Sequence, residues 1–136
     1  MRVAMAAILL ASAAGLAGCS SGSSCPSEPT GDVKVVDIHV GSSPGDTMYM
    51  TPNAITATHC ETVRFVVHND DTIFHDVALR NYDGDNIEHE VDAGKTVSTH
   101  HNGADYFVAT VTGTFSVICE VAGHADKGMK ATFTVS

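Results

Sequence analysis

The stretch FSVICEVAGHADKGMK, residues 115–130, decides how the rest of the chain is read. It holds Cys119, His124 and Met129, with four residues between each pair. Phe115-Ser-Val-Ile-Cys119 alternates like a strand, which puts Cys119 at the strand's last residue. Gly123 and Gly128 let the chain turn tightly, and Lys130-Ala-Thr-Phe-Thr-Val135 resumes as a strand. The result is a loop between two antiparallel strands that carries a thiolate, an imidazole and a thioether. Taken singly, these residues would pass for a core thiol, a loop histidine and a packing methionine. In this order, on a strand–loop–strand, they form a soft donor set, and soft sulfur with imidazole favours copper.

A complete site needs a second histidine. His75 supplies it, in Asn69-Asp-Asp-Thr-Ile-Phe-His-Asp-Val77, with apolar residues on both sides. An imidazole placed there, after a turn, belongs at one end of the fold. It is expected to meet the Cys119–Met129 loop across two sheets, so that a metal would tie the sheets together.

The remaining sequence reads as β throughout. Val33–Val40 places Val36, Ile38 and Val40 on one face, and Gly41–Asp46 is a turn cluster. Thr47–Thr51 is a short strand ended by Pro52-Asn53, with Ala54–Thr58 a second short one. Glu61–His68 turns Val63, Phe65 and Val67 inward, and Ile73–Leu79 follows as an apolar strand. Further strands are expected at Lys95–His101, Tyr106–Val111 and Thr114–Cys119. There is room for one short helical turn, within Asn81–Glu90. About seven or eight short strands with regular turns predict an all-β, two-sheet sandwich over residues 32–136.

The start of the chain has a different character. Met1-Arg2, an apolar run from Val3 to Ala14 and Leu16-Ala-Gly-Cys19 have the form of a secretory signal, residues 1–18. Leu-Ala-Gly-Cys resembles a bacterial lipobox, in which Cys19 would become the lipidated first residue. Residues 19–31 are rich in Ser, Pro and Gly, as a flexible tether would be. Cutting before Cys19 leaves 6 basic against 16 acidic residues, a net charge of −10 with histidine neutral. That balance speaks against nucleic-acid binding and favours a partner with a basic docking face. Of the four cysteines, Cys25 and Cys60 have no role in lipid or metal. An exported protein meets an oxidising compartment, which would join them, although spacing alone does not set their distance.

With these residues in place, the domain from Asp32 to Ser136 resembles a cupredoxin, the type 1 blue copper family. The upstream His75-Asp76 and the Cys-x₄-His-x₄-Met loop carry the likeness. The loop length is similar to rusticyanin-type and sulfocyanin-type proteins, and Gly123–Met129 to small exported bacterial cupredoxins. The resemblance implies a Greek-key β-sandwich and one copper. It makes His75, Cys119 and His124 strong equatorial ligands and Met129 a weak axial one. It also implies that His124 presents an edge to solvent beside Ala122, Gly123 and Ala125. Asp76 stands where many relatives have Asn, and could tie the two ligand segments only as an acceptor.

The function implied is single-electron transfer in the cell envelope, without catalysis, by a monomer held to the membrane through Cys19. Its partner would be a cytochrome or a membrane oxidase or reductase. A copper-delivery module with the same ligands is the alternative. A multicopper oxidase domain has His on both sides of the Cys; here Ile118 and Glu120 stand there. A dinuclear site needs two Cys in the loop, and a nitrite reductase needs two domains. His39, His59, His68 and His89 show no partner pattern in the sequence and read as surface residues. His100-His101 would point to opposite faces of a strand. Met48 and Met50 share a face and read as core or edge packing.

Overall fold

A computed structural model describes residues 24–29 and 31–136. The signal segment 1–18 and Cys19 lie outside the described residues.

Among the described residues ten strands run in chain order: β1 (Lys34–Ser43), β2 (Thr47–Thr51), β3 (Ala54–Ala57), β4 (Thr62–Asn69), β5 (His75–Tyr82), β6 (Asp85–Val91), β7 (Thr96–Ser98), β8 (Phe107–Val108), β9 (Gly113–Cys119) and β10 (Lys130–Val135). They form two five-stranded sheets. The first has the order β2-β1-β4-β7, with β8 also paired to β4; the second is β3-β10-β9-β5-β6. The chain crosses repeatedly between the sheets. β1 runs parallel to β4 and β3 parallel to β10, and the other pairs are antiparallel.

Alternation drives this arrangement. Along β4, Val63, Phe65 and Val67 are buried, while Arg64, Val66 and His68 are only partly covered. Ile38 and Val40 of β1, Val77 and Leu79 of β5, and Phe133 and Val135 of β10 fill the same interior. Phe65 and Phe107 come from the first sheet, and Phe133 and Tyr82 from the second. Phe65 meets Phe133 edge-on at 5.5 Å and Phe107 at 5.3 Å, and Tyr82 meets Phe107 at 5.6 Å. Such edge-to-face packing adds about 0.5–1.5 kcal/mol per pair beyond burial.

The strand count exceeds seven or eight because the edges break into pieces. The expected Lys95–His101 strand is ordered as strand only at Thr96–Ser98. Tyr106–Val111 contributes only Phe107–Val108. The expected helical turn in Asn81–Glu90 is instead a hairpin, with Asp83-Gly84 at positive φ joining β5 to β6. Ile73 and Phe74 do not open β5; both are 43% exposed and the strand starts at His75.

Cys25 and Cys60 are joined, with a Cα–Cα distance of 5.1 Å. Tyr106 donates a hydrogen bond to Glu28 at 3.2 Å. Together they lay segment 24–29 against the end of the sandwich where β4 begins.

Candidate metal centre

β5 and β9 are adjacent strands of the second sheet, and Val77 pairs with Cys119. His75 lies two residues before Val77 and therefore projects from the same inward face as Cys119. The expectation that the ligands meet across two sheets is thus incorrect. His75 and Cys119 are neighbours within one sheet, at its end, and the loop after β9 brings His124 over them.

The loop is built from consecutive turns. His124 N–H donates to Val121 O at 3.0 Å, Gly128 N–H to Ala125 O at 3.1 Å, and Met129 N–H to His124 O at 3.0 Å. Cys119 N–H closes the base by donating to Met129 O at 3.1 Å. Glu120 N–H donates to Asp76 O at 2.7 Å, which ties the loop to β5. Met48 N–H donates to Lys127 O at 2.9 Å, so the first sheet holds the loop as well. Gly128, at φ +113°, fits here because any Cβ would lie 2.6 Å from Met48 O.

Inside this frame, Nδ1 of His75 and Nδ1 of His124 are 3.1 Å apart. Sγ of Cys119 is 3.9 Å from the first and 3.5 Å from the second. The three donor atoms lie within 4.8 Å of one another, and all three residues are buried. Met129, also fully buried, joins them through its backbone hydrogen bonds to His124 and Cys119. Burial lowers the pKa of His75, which keeps it neutral and able to ligate. Burial raises that of the Cys119 thiol, against the pull of the Asp76 and Val121 backbone groups. Without a metal the thiol holds its proton, and binding a cation displaces it. One buried thiol between two buried imidazoles suits copper.

The environment holds groups that sequence reasoning missed. Among the described residues Nε2 of His75 has no hydrogen-bond partner of good geometry, although Asp71 Oδ2 lies 3.4 Å away. Asn69, which in the sequence reads only as the start of the turn before His75, is buried. It donates to the carbonyls of Ile73 at 2.7 Å, Val91 at 3.1 Å and Asp92 at 3.1 Å. It fixes the loop that delivers His75. Among the described residues Oδ1 of Asp76 is buried without a partner, and the tie between the ligand segments is made by the Asp76 carbonyl.

His89 is not a surface residue. It is buried opposite Val77, with Nδ1 3.2 Å from Val77 O and Nε2 3.4 Å from Thr99 Oγ1. His39 and His68 do have partners: their rings stack at 4.5 Å, and each faces a carboxylate, Asp70 at 2.9 Å and Asp37 at 2.7 Å. Met50 is buried core and Met48 packs against it, as read. A second cluster of donors, Cys25, His59 and Cys60, has its two sulfurs committed to the disulfide.

No protein-family profile matches the chain, and no curated protein matches it. Solved structures do. Reduced auracyanin from Roseiflexus castenholzii is 16% identical with a TM-score of 0.58, over 78% of this chain and 99% of that one. Auracyanin A, a "blue" copper protein from Chloroflexus aurantiacus, is 20% identical with a TM-score of 0.55, over 75% and 99%. The copper-containing nitrite reductase of Thermus scotoductus is 16% identical with a TM-score of 0.64. Matches to larger enzymes are partial: the chain spans 28% of that reductase and 42% of a multicopper oxidase. The chain has the cupredoxin fold, and its buried His75–Cys119–His124 cluster is a copper-site candidate.

Proposed function

We propose that the protein is a type 1 copper electron carrier of the cell envelope and not an enzyme. The observation that carries this reading is the convergence of His75 Nδ1, Cys119 Sγ and His124 Nδ1 in a buried pocket of a cupredoxin frame. His75, Cys119 and His124 would hold the metal equatorially, with Met129 axial. Copper bound there would supply a reversible one-electron couple. The chain's contribution is rigidity. Backbone bonds from β2, β5 and the loop itself fix the donors in one arrangement, which suits both oxidation states and keeps reorganisation small. Burial excludes water and slows loss of the metal, which favours a carrier over a delivery module.

Electrons would pass at the His124 edge. His124 is 9% exposed, just after exposed Ala122 and Gly123, and Ile73 and Phe74 protrude from the loop before His75. The auracyanins, similar along nearly their whole length, are single-domain relatives in fold, which favours the carrier reading over an oxidase. The acidic chain favours a basic partner, such as a cytochrome or a membrane oxidase or reductase. Attachment through a lipidated Cys19 fits the sequence of the leader.

The test is a visible spectrum of the copper(II)-loaded protein, followed by ascorbate. An intense thiolate-to-copper band near ~600 nm that bleaches and returns is expected. Copper bound without that band would remove Cys119 from the site and favour the delivery module.

A further inference from the structure

His75 offers Nδ1 to the donor cluster, so a metal there leaves the proton on Nε2. That nitrogen is fully buried and needs an acceptor. Among the described residues one anionic side chain lies near it: Asp71, whose Oδ2 is 3.4 Å away. Asp71 is itself held in place. Ser42 Oγ donates to the same Oδ2, Thr72 N–H donates to Oδ1 at 2.7 Å, and Asp71 N–H donates to Asn69 Oδ1 at 2.9 Å. Asn69 is locked in turn to the carbonyls of Ile73, Val91 and Asp92. A chain of fixed groups therefore runs from β1 through the loop to the ring of the ligand. It rests on Ser42 and Asn69, which belong to different strands of the first sheet, whereas His75 belongs to the second. Asp71 thus brings a carboxylate from the loop after β4 to face a ring of the second sheet.

We infer that Asp71 is a positioning residue for the metal site: its carboxylate accepts the His75 Nε2 proton, orients the ring, and lowers the reduction potential. This rests on the copper reading of the site. A carboxylate behind a ligating imidazole makes it a stronger donor, and its negative charge near the metal favours copper(II) over copper(I). Ser42 Oγ and Thr72 N–H both donate to the Asp71 carboxyl, which is the arrangement an ionised, acceptor-only carboxylate takes. The 3.4 Å separation is longer than a good hydrogen bond, so in the metal-free chain the two groups face each other as an ion-pair contact.

Asp71→Asn keeps the size and the Thr72 contact and removes the charge. Voltammetry of the copper-loaded full chain should show a higher potential than wild type, with the blue band retained. Asp71→Ala should in addition weaken copper(II) affinity about 10–100-fold in competition with a chelator. Ser42→Ala should shift the potential in the same direction, by less. Denaturant unfolding of the metal-free variants separates positioning from simple capping, because a cap alone would lower stability and leave the potential unmoved. A blue wild type whose Asp71→Asn variant has an unchanged potential overturns the role of Asp71 alone. A wild type that never turns blue overturns the copper reading and this inference together.

Discussion

Among the described residues two places bring cysteine and histidine donors within 4.8 Å, and they differ in almost every other respect. Around Cys119 the sulfur is a free, buried thiol, both imidazoles are buried, and three separate segments fix the loop. Around Cys60 the sulfurs are bonded to each other, and the neighbouring His59 is exposed, with Nε2 3.1 Å from Thr110 O. The same residue types form a copper-site candidate at one end and hold chain together at the other. What separates them is burial and register. A thiol at the end of an inner strand, two positions from an inward histidine on the next strand, cannot reach another cysteine among the described residues and is left for a metal. A cysteine at the start of β4, facing the chain that precedes β1, finds one at once.

That contrast can be broken by exchanging its terms. Cys119→Ser should abolish the band near ~600 nm completely while leaving a folded β spectrum by circular dichroism. Cys60→Ser should do the reverse. The blue band should persist, but denaturant unfolding should lose about 3–4 kcal/mol, the cost of opening a loop whose ends are 35 residues apart. A colourless Cys60→Ser protein that still folds would mean that the two ends are not independent.

The buried end also resists charge, and pH can measure it. Burial lowers the pKa of His89, against the opposing pull of hydrogen bonds to the Val77 and Ile87 backbone. Its unfolded form takes up a proton as pH falls below about 6.5, and the folded form does so only at lower pH. Stability is therefore full above that value and declines below it. The decline is up to about 1.4 kcal/mol per pH unit for this histidine. Metal-free protein unfolded in urea at pH 7.5, 6 and 5 should show the loss, and His89→Gln should shrink it. The smallest expected effect is at Met129. Met129→Leu should keep a blue site and raise its potential, since a weak axial donor that favours copper(II) is gone. An unchanged potential would deny Met129 the axial role.

The ligand loop was legible because Cys119, His124 and Met129 sit within eleven residues, so local spacing carries the pattern. His75 was legible by its type and its apolar neighbours. Its partner strand was not, since pairing of β5 with β9 joins positions forty residues apart and nothing in the local alternation states it. The same non-local register hid His89, polar by type yet placed opposite Val77. Asn69 and Asp71 read as a loop because Asn-Asp-Asp-Thr is turn chemistry, which is also true. Their second use appears only when Ser42 and Val91 arrive from other strands. The sandwich itself followed from alternation in β1, β4, β9 and β10, where inward residues are large and apolar. Short pieces such as β7 and β8 lack that contrast and were misjudged in length.

The disulfide has a mechanical consequence. Cys60 lies just before β4 and the His75 loop just after it, so the two ends are separated by the strand's length, about 25 Å for eight residues. Segment 24–29 is clamped at the end away from the donor cluster. Force or attachment applied through residues before Cys25 is delivered to that bond and to β4, and does not pass through the loop. A surface to which the chain is fixed by its beginning would therefore be met by the far end of the sandwich. The His124 edge would face outward, free to turn toward whatever arrives.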